Sequence, residues 1–466
     1  MQPTPRGLFR LVMLCLFVSG AAGLVYEVAW SRYLALFLGH TSFAVVAVLV
    51  AFMGGLALGN LWLGSFADRT RRPLAVYAWL EIGIGVYALA FPYWFEACYR
   101  LFVVLGRGLE PGTAAALSLK FAFSLLTVLL PTVLMGGTLP VVTRLLTRSL
   151  SELREKIAGL YFVNSAGAVV GTYLADFWWL PAVGLQYTVF AGAAMNLAVG
   201  AAALWVSGWI KEGRGVAGSA PGAAAGGPEA TGREAEESWT FKPAELRLAV
   251  VGIGLSGFVA MLYQIAWTRM LALVLGSSTH AFSLMLITFI AGIAVGSWVI
   301  YRWRRLGNPL RAFAWIELAL AGTVLVSMFF YERLPFWFIR LARLLARHQE
   351  AYPVYETLQA LICFLVMFVP TLCLGMTLPL VSRVATTEAG RTGRSVGRVF
   401  AVNTLGTVLG AAVTGLWLMP ALGLARTFAL GVALNAWIGL AILLAGQWPQ
   451  ARGRVIGVPL AVLAAA

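Results

Sequence analysis

SGAAGLVYEVAWSR, residues Ser19–Arg32, occurs twice in this chain: 237 positions on, Ser256–Arg269 reads SGFVAMLYQIAWTR. Ser19, Gly20, Tyr26, Ala29, Trp30 and Arg32 return as Ser256, Gly257, Tyr263, Ala266, Trp267 and Arg269. One change removes a charge, because Glu27 becomes Gln264. Both copies close a long apolar run, where a carboxylate is costly and calls for an explanation. The chain reads as a duplicated membrane protein, and Glu27 is where its halves stop being equivalent.

Composition points the same way. Of 466 residues, 60% are hydrophobic and 11% charged, with a mean hydropathy of +0.84. So few charges cannot cover a soluble domain, which leaves a polytopic membrane protein in a lipid bilayer. The net charge of +15 sits in short loops between apolar runs, which is the positive-inside pattern and not the footprint of a nucleic-acid partner. Cys15, Cys98, Cys363 and Cys373 form no CxxC pair and read as small buried hydrophobes. His40, His280 and His348 stand near no acid or cysteine at metal-ligand spacing, so neither a metal nor a cofactor is expected. The N-terminus has the outline of a signal peptide, with Arg6 and Arg10 before an apolar core. The second copy of its motif lies mid-chain and cannot be a signal, so the first is read as a retained membrane helix.

Runs long enough to span a bilayer, roughly 20 residues each, fall at 9–31, 42–64, 74–97, 114–143, 157–180 and 186–210. A second set falls at 246–268, 279–301, 311–332, 355–382, 396–419 and 424–446. Every even-numbered run ends in a basic loop, from Arg69, Arg71 and Arg72 to Arg452 and Arg454, which places those loops and both termini of the twelve-helix core in the cytoplasm. The opposite loops Cys98–Gly112 and Phe336–Tyr352 read as interfacial helices. The expected organisation is a six-helix repeat over 1–210, a flexible Gly/Ala/Pro-rich and then acidic linker over 211–245, and a second repeat over 246–450. Residues 451–466 read as the start of an incomplete thirteenth helix. Two parallel six-helix repeats joined by a cytoplasmic linker are the layout of major facilitator transporters, so the fold expected is all-α and major-facilitator-like.

The repeat extends beyond its first helix. PTVLMGGTLP (Pro131–Pro140) returns as PTLCLGMTLP (Pro370–Pro379). Proline inside a membrane helix frees a carbonyl, and neighbouring Gly and Thr permit a bend. Pro131, Gly136 and Pro140 with Pro370, Gly375 and Pro379 therefore mark either hinges in broken helices or packing kinks. The glycines of the second run in each half, Gly54, Gly55, Gly59 and Gly64 against Gly292 and Gly296, argue for close helix contact within the fold.

Intramembrane acids narrow the functional reading. Glu27 falls about three-quarters across the first run, with Asp176 in the fifth at similar depth and Lys120 in the fourth. One reading is a site for a cationic substrate or coupling proton, with Tyr26 and Trp30 adding cation–π faces and Gln264 as the neutral counterpart. The other is an internal ion pair of Glu27 with Arg32 or Lys120. Glu81 and Glu317 are duplicated and read as structural partners of loop arginines. Asn164 and Asn403 read equally as helix caps, cavity lining or packing groups. Asp68 with Arg69 and Arg72, after the second run, fits a cytoplasmic gate; the second-half loop YRWRRLGNP has no acid.

SGxxGLxYExxWxR, FMGGLALGxxxxGxxADRxxRPL and PTxLMGGTLP together resemble the membrane region of bacterial proteins that fuse a major-facilitator-like part to a spermidine synthase domain. The resemblance covers essentially the whole chain, and its motif positions are Tyr26, Glu27, Trp30, Arg32, Asp68 and Arg69. It implies the bacterial inner membrane and a polyamine connection. An aminopropyltransferase needs a Gly-rich turn between a strand and a helix. The Gly-rich stretch 222–232 follows no strand, so no catalytic domain is expected in this chain. Two functions remain: transport of a small cationic, polyamine-related metabolite by alternating access, or a non-transporting anchor for a soluble spermidine synthase-like partner.

Overall fold

Hydrocarbon offers no water to a peptide group, so each apolar run must close its own hydrogen bonds as a helix. The computed structural model does this, and describes residues 5–38, 42–110, 113–146, 150–209, 241–275, 279–303, 307–331, 333–345, 352–386 and 392–444. The first half comprises α1 (Pro5–Leu38), α2 (Ser42–Ala67), α3 (Pro73–Gly106), α4 (Ala114–Leu146), α5 (Leu150–Tyr173) and α6 (Leu180–Trp209). The second comprises α7 (Pro243–Leu275), α8 (Thr279–Arg302), α9 (Pro309–Tyr331), the short α10 (Leu334–Leu345), α11 (Tyr352–Ala385), α12 (Thr392–Val413) and α13 (Met419–Leu444).

Among the described residues, ten segments are long and apolar enough to cross a membrane. Two of them, Lys156–Gly208 and Ser395–Leu444, each carry two helices, α5 with α6 and α12 with α13. A 53-residue segment drawn as one straight helix would run ~80 Å, far more than a bilayer core. A π-helical turn interrupts each, at Leu174–Trp179 and Thr414–Leu418. Just beyond, Gly184 and Gly423 adopt φ of 78° and 75°, a backbone region open to glycine. α6 then lies against α1 and α3, and α13 against α7 and α9.

Several boundaries differ from expectation. α7 begins at Pro243, inside the expected linker; residues 210–240 and 445–466, including the expected thirteenth helix, lie outside the described residues. Cys98–Gly106 is the end of α3 and not a separate interfacial helix. α10 is separate: it buries Leu334 and Phe338 and exposes Phe336, Ile339 and Leu344.

Glycines set the helix spacing. A Cβ on Gly55 would strike the Thr132 side chain, and one on Gly59 the Val133 carbonyl; Gly292 and Gly296 stand likewise against Thr371 and Leu372. These contacts join α2 to α4 and α8 to α11 within each half. The halves themselves meet along two antiparallel pairs, α2 with α12 and α5 with α8. On α2 the contact runs from Asn60, against Gly397, to Val46, against Gly415. Those positions are ~21 Å apart along the helix, most of a hydrocarbon core. Tyr161 and Phe400 are equivalent positions of the two repeats, and their rings meet edge to face at 5.7 Å and 84°, so the axis relating the halves passes between them.

The proline motifs, with Pro131, Gly136 and Pro140 in one half and Pro370, Gly375 and Pro379 in the other, leave their helices unbroken. α4 and α11 run through them. Pro131 removes the donor to the Thr127 carbonyl, and the Tyr87 hydroxyl donates to that carbonyl at 2.6 Å. Pro379 frees the Gly375 carbonyl in the same way, and Ser297 Oγ donates to it at 2.9 Å. Gly136 and Gly375 serve close approach, to Leu56 and Ile293. Side chains from neighbouring helices thus reach two of the freed carbonyls, and the non-helical backbone lies elsewhere, at Gly184 and Gly423.

Overpacking a close helix contact costs ~1–3 kcal/mol or more. Gly59→Leu should therefore lower the melting midpoint of the detergent-solubilised protein or abolish its monodisperse elution. Gly208→Leu, at a site with no atom within 4 Å of the missing Cβ, should not. Equal behaviour of the two variants would refute the glycine-spacing account.

Candidate functional site

Four side chains from three helices form a buried network in the first half. Ser19 Oγ (α1) donates to Glu81 Oε1 (α3) at 2.6 Å, and Asn196 Nδ2 (α6) donates to Glu81 Oε2 at 2.5 Å. The Tyr26 hydroxyl completes it, donating to Asn196 Oδ1 at 2.7 Å. The second half repeats the pattern: Tyr263 donates to Asn435 at 2.8 Å and Asn435 to Glu317 at 2.5 Å. Glu81 and Glu317 are 0% exposed, and their partners are these groups and not the loop arginines expected. Asn196 and Asn435 were not picked out from the sequence, although both fall at matching places in the repeat. Being duplicated and internally bonded, the networks clamp α1–α3–α6 and α7–α9–α13.

Tyr26 and Trp30 belong to this core and do not form a cation–π face beside Glu27. Their rings stack at 4.9 Å and 14°, and Trp30 stacks on Phe91 at 4.9 Å on the way into α3. Trp267 Nε1 donates to Tyr331 at 2.6 Å. Phe95 occupies the Tyr331 position in the first half, and Trp30 Nε1 is buried with no acceptor among the described residues.

Asp176, in the first π turn, is 1% exposed and forms a salt bridge with Arg32 of α1. It is therefore not an open cation site. Gly415 takes its place in the second half. Lys120 lies near the start of α4, in a groove with Phe102 and Arg107. Neither Arg32 nor Lys120 pairs with Glu27.

Glu27 is 5% exposed and has no hydrogen-bond or ion-pair partner among the described residues. On the α1 wheel it shares a face with Gly20, Gly23, Leu24 and Ser31, at i−7, i−4, i−3 and i+4. Gly20 abuts the carbonyl and Oδ1 of Asn164 on α5, and Leu24 joins the apolar cluster that contains Leu286 and Ile290 of α8. Glu27 therefore lies on the face of α1 directed at the junction of the halves. Gln264, 3% exposed and also without a side-chain partner among the described residues, is flanked by Met261 and Ile265, which cluster with Leu49 and Met53 of α2. Gly257 abuts Asn403 as Gly20 does Asn164. Both asparagines thus lie against the first helix of their own half, with no cap to make.

At the basic-loop end, Asp68 approaches Arg144 of α4 at 3.8 Å, while Arg69 and Arg72 are exposed. The acid of the expected gate is thus tied to α4 and not to Arg69. Arg383, which occupies the place of Arg144 in the second half, donates to the Ile300 carbonyl in the last turn of α8 at 3.0 Å. A helix C-terminus there takes the part of the missing acid.

The sequence matches no family model and no curated protein. Solved structures do match over nearly the whole length. The human organic anion transporter MFSD10 (TETRAN) is 15% identical with a TM-score of 0.57, the match covering 95% of this chain and 100% of that one. A bacterial homologue of the iron transporter ferroportin, in its outward-facing state, is 13% identical with a TM-score of 0.60 over 93% and 98%. The proton:xylose symporter XylE, a major facilitator superfamily protein, is 13% identical with a TM-score of 0.53 over 94% and 95%. The fold is the major facilitator fold. At such identities the likeness concerns fold alone, and with the ten apolar segments it makes this major-facilitator-like chain an integral membrane protein.

Removing one partner of a buried ion pair typically costs ~3–5 kcal/mol. Arg32→Ala should destabilise the protein strongly in a thermal melt, and Arg32→Ala with Asp176→Ala should recover part of the loss. A double variant no better than the single one would exclude the pair as the cause.

Proposed function

We propose that the chain is a secondary transporter that carries a small cationic metabolite by alternating access, with Glu27 as the group that takes up the cation or a coupled proton. The observation that carries this reading is that Glu27 has no partner among the described residues. Every other intramembrane acid is answered: Glu81 by Ser19 and Asn196, Glu317 by Asn435, Asp176 by Arg32. A carboxylate left alone in a low-dielectric interior is expensive. It is tolerable where a proton or a cation completes it, and Glu27 sits on the face turned toward the junction of the halves, where alternating access would expose it to either side. Gln264 keeps the shape at the equivalent place without the charge, so one site per molecule follows. A single carboxylate matches one positive charge at a time. The polyamine connection that the sequence resemblance implies supplies cargo of this kind, since putrescine and spermidine end in primary ammonium groups.

Uptake of labelled putrescine and spermidine into proteoliposomes under an imposed proton gradient tests this. Wild-type protein should give saturable, gradient-dependent uptake, and Glu27→Gln should reduce it at least about tenfold, a loss of ~1.4 kcal/mol or more. Undiminished uptake by Glu27→Gln would remove the residue from the site. No uptake of either amine in either gradient direction, from protein shown to be folded, would overturn transport and leave the anchor for a synthase-like partner.

A further inference from the structure

Gly23 precedes Glu27 by one helical turn. Helix side chains lean toward the N-terminus, so the Glu27 carboxylate is aimed over the turn that Gly23 leaves bare. Other glycines of these helices are filled from outside: a Cβ on Gly20, Gly167 or Gly171 would strike backbone of the facing helix. At Gly23 no heavy atom of the described residues lies within 4 Å of the missing Cβ. This glycine therefore brings no helix closer; it leaves room. The repeat underlines the difference, because Ala260 and Gln264 occupy the equivalent places. The bare turn is paired with an acid in the first half, where the second half has an alanine and an amide.

We propose that this opening, roofed by Glu27, is the seat of a primary ammonium group. The inference rests on the transport reading above and deepens it. The missing side chain leaves room for a compact –NH3+ head. Three N–H donors give that head charge-assisted hydrogen bonds to a carboxylate. A bulky methylated ammonium lacks those donors and is held by aromatic faces, and here Tyr26 and Trp30 are stacked on one another within the core. Residue 23 then sets the size of the group admitted: alanine, the residue of the second half, is accommodated, whereas leucine fills the space.

The test uses thiol chemistry at the opening itself. The four native cysteines are buried, and in the full-length Gly23→Cys protein the new thiol should react with aminoethyl methanethiosulfonate at least about tenfold faster than with the sulfonatoethyl reagent. Methylammonium should slow that reaction and tetramethylammonium should not. Adding Glu27→Gln should bring the two reagents to similar rates. In the uptake assay Gly23→Leu should fail. An unreactive thiol, or equal rates with Glu27 intact, would overturn the seat. So would normal uptake by Gly23→Leu, and if Glu27→Gln were still dead the carboxylate site would stand without it. Normal uptake by Glu27→Gln would sink both readings together.

Discussion

A carboxylate in the interior of a membrane protein must find a partner or give up its charge, and the placement of four acids by that rule orders much of this structure. Glu81 and Glu317 meet it through amides and a hydroxyl on neighbouring helices, which ties the first, third and sixth helix of each half together. Asp176 meets it through Arg32, which ties α1 to the π turn at the end of α5. With α1 held on both sides, the angular position of its remaining face is fixed, and that face carries Glu27. The unsatisfied acid is thus presented by a helix that cannot turn to hide it.

The Glu81 network repeats in the second half, and what is duplicated cannot distinguish the halves. Asp176 and Glu27 have no acidic counterparts, since Gly415 and Gln264 stand in their places. Electrostatic asymmetry is therefore concentrated on α1 and the turn packed against it, whereas the helix pairs α2–α12 and α5–α8 that join the halves keep their symmetry. Tyr161 against Phe400 shows the same division: equivalent positions meet on the axis and differ by one hydroxyl. Glycine-set spacing gives both halves the same shape, and a few substitutions give one half its chemistry.

How much of this could be read beforehand depended on the range of the interaction. The duplicated membrane helices and the major-facilitator-like layout were legible, because apolar runs, basic loops and a repeated motif are local signals. Gly55 and Gly59 were legible as close contacts for the same reason. The partners of Glu81 were not: Asn196 lies 115 positions away, and nothing in periodicity links an acid on one helix to an amide on another. Pro131 was read as a candidate hinge because the sequence shows the hydrogen bond that proline removes. It does not show Tyr87 restoring it from the adjacent helix. Tyr26 stands next to Glu27 in the chain and Trp30 three residues on, yet their rings are stacked on one another and buried in packing, which the chain order alone does not show.

On the transport reading, the stacking of those rings also bears on what Glu27 can hold. Had the rings been open to a ligand and not stacked in the core, a desolvated cation of any shape could have been stabilised there, and selectivity would have been loose. With the rings spent on packing, the carboxylate must supply the whole attraction, and it does so most effectively to a donor that forms short, charge-assisted hydrogen bonds. The same geometry limits how tightly such a group is held. One carboxylate without a second acid or an aromatic wall gives a modest well, and a transporter requires release as much as capture. On the transport reading, an acid without a partner among the described residues is thus better matched to passing a cation onward than to storing it.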